Sequence, residues 1–172
     1  MSTNVRPRRS VLYMPGANTR ALEKARTIAA DALIFDLEDA VAPDAKEAAR
    51  ANVVAAARSR SYGKREIVIR CNGMGTPWGK ADVAAIATSG ADAILVPKVE
   101  NAAEVTNIVA LLDALGAPQS MAVWAMMETP RGVLNADQIA GAHKRLQLFV
   151  IDRKSTRLNS SHVSESRMPS SA

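Results

Sequence analysis

Charged residues in this chain fall at the ends of apolar runs, and that placement is where chemistry is expected. Residues 121–127 form an apolar run that stops on one acid, Glu128, and is followed by Thr129-Pro130-Arg131-Gly132. A carboxylate at the mouth of a buried strand, with a proline and a glycine turning the chain into a helix, stands where α/β enzymes carry catalytic groups. Glu128 is therefore a candidate metal ligand. Asp36, Glu38 and Asp39 end the run over residues 32–37, Arg70 and Asn72 end Ile67-Val68-Ile69, and Lys98 follows Pro97 after Ala93-Ile94-Leu95-Val96. A guanidinium at such a low-dielectric mouth needs an anion, supplied by the protein or by a substrate. Two roles stay open for Glu38 and Asp39, a helix cap or partner of Arg70 on one side and a ligand contact on the other. Lys98 is either a pocket residue or a surface one. Cys71 has no histidine at a neighbouring strand end to activate it and reads as a small core residue, and His143 sits in a polar turn.

The elements that must position these groups follow from periodicity. Strands are expected over residues 10–15, 32–37, 66–72, 93–99, 121–127 and 146–151, each followed by a helix or a polar break. Thr19 is the expected cap of the first helix, and Pro43 opens the second, with Asp44 and Glu47 in its first turn. Val105, Ile108, Val109, Leu112 and Leu115 make the clearest amphipathic stripe, stopped by Gly116. A fifth helix is expected over residues 130–140. Near-continuous apolar strands alternating with helices imply a parallel sheet covered by helices. Neither Pro15-Gly16-Ala17-Asn18 nor residues 73–79 supplies a dinucleotide fingerprint, and Lys80-Ala81 is no phosphate loop, so a barrel is favoured over a doubly wound sheet. In a barrel, strand ends converge on one face, so these scattered polar residues are expected to share a pocket.

Composition bounds the rest. Hydrophobic residues make up 48% of the 172, yet only two Trp, two Tyr and two Phe occur, so the core must be built from Ala, Val, Ile, Leu and Met. A closed eight-stranded barrel typically needs about 250 residues. The lone cysteine excludes an internal disulfide and fits a reducing compartment. No apolar run approaches the roughly 18 residues of a membrane span, and the N-terminus lacks an apolar leader core, so the expected setting is the cytoplasm without membrane contact. The net charge of +5 does not point to nucleic acid. Part of it falls after Ile151, the cluster Arg6, Arg8 and Arg9 reads as a solvated basic start, and no aromatic residues interleave with the bases.

RSVLYMPG at 9–16, DALIFDLEDAVAPDAKEAAR at 31–50, IRCNGMGTPWGKAD at 69–82, ILVPKVE at 94–100 and METPRG at 127–132 resemble, in order and spacing, the citrate lyase beta subunit family. That family includes malyl-CoA and citramalyl-CoA lyases and belongs to the HpcH/HpaI aldolase and citrate lyase superfamily. The resemblance implies an α/β fold, a (β/α)8 TIM barrel present here as an incomplete barrel of about six βα units over residues 1–151. It implies Mg²⁺ and a carbon–carbon lyase that cleaves or forms a 3-hydroxyacyl thioester, on coenzyme A or an acyl carrier. The products would be an acetyl-CoA-type thioester and a 2-oxo acid. By the same resemblance Arg70 would bind the oxo-acid carboxylate and Glu128 the metal, while Tyr13 and Lys24 would contact the coenzyme A portion. Glu38, Asp39 and Lys98 complete the candidate substrate pocket. The physical logic agrees: a hard cation held by oxygens chelates a carboxylate and its neighbouring oxygen, and a guanidinium orients a carboxylate through paired hydrogen bonds.

The resemblance breaks after Ile151. The family continues with a glycine and then an aspartate, its second metal ligand, whose expected place 27 residues after Glu128 is held by Ser155. Residues 152–172, DRKSTRLNSSHVSESRMPSSA, are rich in serine and basic residues, and residues 152–162 resemble a reading-frame translation of a sequencing adapter. The expectation is a non-native, disordered tail in place of strands seven and eight and of the segment that hands a catalytic acid to a neighbouring subunit in family homo-oligomers. Open edges on the first and sixth strands would then leave the chain inactive, poorly folded and unable to assemble. The competing expectations are a Mg²⁺-dependent 2-oxo-acid aldolase without coenzyme A and a non-enzymatic half-barrel.

Overall fold

Apolar strands of this kind need cover on both faces, and the arrangement that supplies it is a curled parallel sheet with helices on its outside. The computed structural model describes residues 6–151; Ser155 and the expected tail lie outside the described residues. The strands are β1 (Val11–Pro15), β2 (Ala32–Asp36), β3 (Glu66–Arg70), β4 (Ala93–Val96), β5 (Ala122–Met127) and β6 (Leu146–Ile151). The helices are α1 (Thr19–Lys24), α2 (Lys46–Arg58, entered through a 3-10 turn at Pro43–Ala45), α3 (Gly79–Ala87), α4 (Ala102–Ala114), α5 (Pro130–Leu134) and α6 (Ala136–Ala140). All strand pairs are parallel, and the sheet order is β1-β2-β3-β4-β5-β6. An order without reversal is that of a barrel wall, not of a doubly wound sheet. The fold is an incomplete α/β barrel. Among the described residues β1 pairs only with β2, and β6 only with β5.

Period-two alternation divides the core in two. Ala32, Ile34, Val68, Leu95, Trp124 and Met126 pack together on the concave face. Leu33, Phe35, Ile69, Ile94, Val96 and Val123 face the helices. There they meet Val53 from α2, Val83 and Ile86 from α3, and Val105, Ile108 and Leu112 from α4. Val105, Ile108, Val109 and Leu112 of the α4 stripe are buried as their spacing predicts, with Leu115 partly buried just past the helix, and Gly116 follows at φ +73°, a left-handed turn that costs glycine little.

Local departures have local causes. Asn18, not Thr19, caps α1, its Oδ1 accepting from Ala21 N at 3.0 Å, and the α-helix ends at Lys24. β4 stops at Val96, short of residue 99, because Lys98 adopts φ +52°, which no strand accommodates. The expected helix over 130–140 is broken at Asn135, which ends α5, begins α6 and donates from Nδ2 to the Glu100 carbonyl at 2.8 Å. The basic N-terminal cluster is not merely solvated. Arg6 pairs with Asp92 at 3.0 Å, Arg8 with Glu66 at 2.6 Å and Arg9 with Asp31 at 2.9 Å, so each arginine ties the N-terminal segment to the lower end of the sheet.

Candidate functional site

The strand ends meet at the upper rim, and Arg70 organises them. Alternation places Ala32, Ile34 and Asp36 of β2 on the same face as Val68 and Arg70 of β3, and the register sets Asp36 beside Arg70. The two buried side chains form a paired contact, Arg70 Nε to Asp36 Oδ1 at 2.7 Å and Nη2 to Oδ2 at 2.6 Å. Asp36 also accepts the amides of Glu38 at 2.8 Å and Ala40 at 3.2 Å. Every lone-pair direction of this carboxylate is thereby used, so Asp36 serves as a support rather than as a ligand for anything else.

Nη1 is the Arg70 nitrogen left for the mouth. Glu38 Oε2 lies 3.1 Å from it and Asp39 Oδ2 3.3 Å, with the Met126 sulfur at 3.5 Å. The Glu38 contact pairs charges without hydrogen-bond alignment, since Oε2 is buried and finds no hydrogen-bond partner. The Tyr13 ring lies 5.3 Å from Arg70 Cζ, and its hydroxyl is 4.0 Å from the Met126 sulfur. Burial works against the Arg70 charge, but the hydrogen-bonded Asp36, with Glu38 and Asp39 behind it, holds the guanidinium protonated well above its usual range. Tyr13, Asp36, Asp39, Arg70, Met126 and Val150 line a cavity of about 390 Å³.

Lys98 joins this group to Glu128. Its Nζ donates to Glu38 Oε1 at 2.9 Å and its backbone N–H to Glu128 Oε1 at 2.8 Å. The hydrogen bond from Lys98 to Glu38 raises the ammonium above its ordinary value. Partial burial pushes the Glu128 carboxyl up, the Lys98 amide opposes that, and the Glu38 charge adds to it. A second cavity, of about 520 Å³, opens beside Glu38 and Lys98 and is walled by Met74, Thr76, Asn107 and Ile108.

Of the residues expected to share the mouth, Tyr13, Glu38, Asp39, Arg70, Lys98 and Glu128 are brought into one connected set. Lys24 is exposed in the last turn of α1 and lines neither cavity. Asn72 turns away: its amide and Nδ2 donate to the buried Asp82 at 2.9 and 2.6 Å, while Asp82 also accepts Arg50 Nε at 2.6 Å. Spacing marks Asp36 only as one of the acids ending its run, and it does not mark Lys46 or Asp82. The buried Lys46 donates from Nζ to the carbonyls of Leu37 at 2.7 Å and Glu38 at 2.6 Å, fixing the loop that carries Glu38. The signal for Asp36 was available, since it continues the inward alternation of Ala32 and Ile34.

A family model described as HpcH/HpaI aldolase/citrate lyase matches residues 9–154. The chain belongs to this family. It is similar to a (3S)-malyl-CoA thioesterase of Cereibacter sphaeroides, 52% identical over 151 residues, covering 88% of this chain and 50% of that protein. It is also similar to the citrate lyase subunit beta of Leuconostoc mesenteroides subsp. cremoris, 39% identical over 83% of this chain and 49% of that protein. The chain thus spans about half the length of these curated relatives. Among solved structures, the citrate lyase beta subunit of Mycobacterium tuberculosis complexed with oxaloacetate and magnesium superposes with a TM-score of 0.69 at 29% identity. That match covers 94% of this chain and 66% of that one.

Magnesium is commonly held by one or two carboxylates together with substrate oxygens and water. Among the described residues no group of three His, Cys, Asp or Glu side chains is placed to enclose a cation. Glu128 fits the smaller requirement. It is a half-buried carboxylate whose Oε1 is fixed by Lys98 and whose Oε2 accepts no hydrogen bond among the described residues.

Proposed function

We propose that this rim is the 2-oxo-acid half of a Mg²⁺-dependent site acting on 3-hydroxyacyl thioesters of the malyl type, as a carbon–carbon lyase. The observation that carries the reading is Arg70 Nη1. Its companion nitrogens are committed to Asp36, and the carboxylate now on its open side, Asp39, is largely exposed and reaches in from solvent. Asp39 stands where a substrate carboxylate would lie, and because its own side chain is solvated while Asp36 stays paired with the guanidinium, a substrate carboxylate can take its place on Arg70 without stranding the buried charge. Arg70 then orients the oxo-acid end, Asp36 keeps the guanidinium from turning, and Glu128 Oε2 offers the oxygen that holds Mg²⁺. When bound, Mg²⁺ supplies polarisation of the oxygen next to the carboxylate. Cleavage takes the proton from the 3-hydroxyl, breaks the adjacent carbon–carbon bond and leaves the electron pair on the thioester fragment, which is then protonated. Tyr13, on the rim beside Arg70, and Lys24 are proposed to face the coenzyme A portion. With Ser155 at the place of the second acid, the chain itself is proposed to bind an oxo acid without turning a thioester over.

A second reading, hydrolysis of the thioester, is favoured by the likeness to the (3S)-malyl-CoA thioesterase of Cereibacter sphaeroides. Products separate the two. The chain, and the chain continued by its genomic sequence after Ile151, are incubated with (3S)-malyl-CoA and Mg²⁺. Acetyl-CoA with glyoxylate supports the lyase, and free coenzyme A with malate supports hydrolysis. Failure of the continued chain to form either product overturns both.

A further inference from the structure

Lys98 is one of two non-glycine residues with positive φ among the described residues, at +52°. L-residues avoid this region, so surrounding contacts must hold it there. Those contacts are two acids from different strand ends. The left-handed turn aims the Lys98 amide at Glu128 Oε1, at 2.8 Å, and sends the side chain back so that Nζ reaches Glu38 Oε1, at 2.9 Å. Glu38 is buried, and its other oxygen lies 3.1 Å from Arg70 Nη1. One residue therefore stands between the acid of the β2 end and the acid of the β5 end. Without its ammonium, Glu38 would keep a contact to Arg70 on one oxygen only, with the Glu128 charge nearby.

We propose that Lys98 is a positioning residue that divides the acids of the rim. Its ammonium keeps Glu38 turned to Arg70, and its amide presents Glu128 with a single oxygen open. A divalent cation then meets one carboxylate rather than a Glu38–Glu128 pair and retains coordination positions for the oxygens of a 2-oxo acid. The proposal rests on the reading of Glu128 as a cation ligand.

Mn²⁺, in place of Mg²⁺, reports on this directly through the electron paramagnetic resonance of its free form in titrations of the full chain. In Lys98→Met the freed Glu38 is expected to join Glu128, tightening Mn²⁺ binding roughly tenfold, as a gain in ligand charge does at cation sites. Pyruvate binding to the Mn²⁺-loaded protein is expected to weaken in the same variant, because a coordination position has been lost. Structural damage would weaken both, so the opposite directions are diagnostic. Lys98→Arg should restore wild-type values, and adding Glu38→Gln to Lys98→Met should abolish the tightening. Lys98→Gly, which relaxes the left-handed backbone while removing the ammonium, should tighten Mn²⁺ likewise and serves if Lys98→Met does not fold. Unchanged or weaker Mn²⁺ binding in the folded Lys98 variants, or tightening that survives Glu38→Gln, overturns the proposal. A wild-type chain that binds no Mn²⁺, or Glu128→Gln binding it as tightly as wild type, overturns instead the assignment of Glu128 as ligand.

Discussion

Arg70 touches three acids, and their burial decides what each contact is worth. Asp36 is buried with it and bonded through two nitrogens, whereas Asp39 is mostly exposed. Removing one member of a buried pair strands the other in low dielectric, so Arg70→Met is expected to cost about 3–5 kcal/mol of unfolding free energy. Asp39→Asn is expected to cost less than about 1 kcal/mol. Urea denaturation of both variants checks the ranking; equal losses would mean that Asp36 is not the principal partner. Arg70 and Glu128 were legible because each ends an uninterrupted apolar run. Asp36 is legible as one of the acids ending its run but not as the partner of Arg70, because that pairing depends on the inward alternation and on the register between β2 and β3. Lys98 was visible as a residue but not in its role, since a left-handed backbone at lysine leaves no mark in composition or spacing.

At the scale of elements, glycine marks the turn out of β5. A Cβ on Gly132 would run into the Val99 carbonyl and sit 3.2 Å from Thr129 Oγ1, which caps α5 by accepting the Gly132 amide at 3.0 Å. Gly132→Ala therefore has to displace α5 from the loop after β4, and overpacking of this kind costs about 1–3 kcal/mol. A melting temperature unchanged from wild type would show that the loop gives way freely. At the opposite end of the sheet, Asp31 accepts the Arg9 side chain and the amides of Arg9 and Ser10. The Arg9 hydrogen bond, with these amides, holds its carboxyl well below the usual value of 3.8. Because the folded value is depressed, the contribution is present above pH 3.8 and lost as pH falls through the folded value. Asp31→Asn should lower the melting temperature at pH 7, and the difference from wild type should shrink as pH drops below 3.8. A difference that stays constant would sever the link to ionisation. The strands were legible from apolar runs bounded by polar residues. The break at Asn135 was not, because its cause is a contact with the Glu100 carbonyl from a distant loop.

At the scale of the molecule, sequential parallel order curls the six strands so that rim residues drawn from β1 to β5 share one mouth. That convergence was readable from the repeating strand–helix pattern, since a barrel gathers its strand ends. The division of the mouth into a guanidinium side, held by Asp36, and an acid side, held by Lys98, depends on register and backbone conformation, which only the folded chain displays. We propose that these two sides act together on one ligand, a 2-oxo acid that Mg²⁺ would join to Glu128. Isothermal titration of pyruvate into the full chain, with and without Mg²⁺, and into Glu128→Gln tests it most directly. Binding is expected to require Mg²⁺ and to fall at least about tenfold in Glu128→Gln, the loss of one charged ligand. Pyruvate binding that is equally strong without Mg²⁺, or untouched by Glu128→Gln, would contradict it.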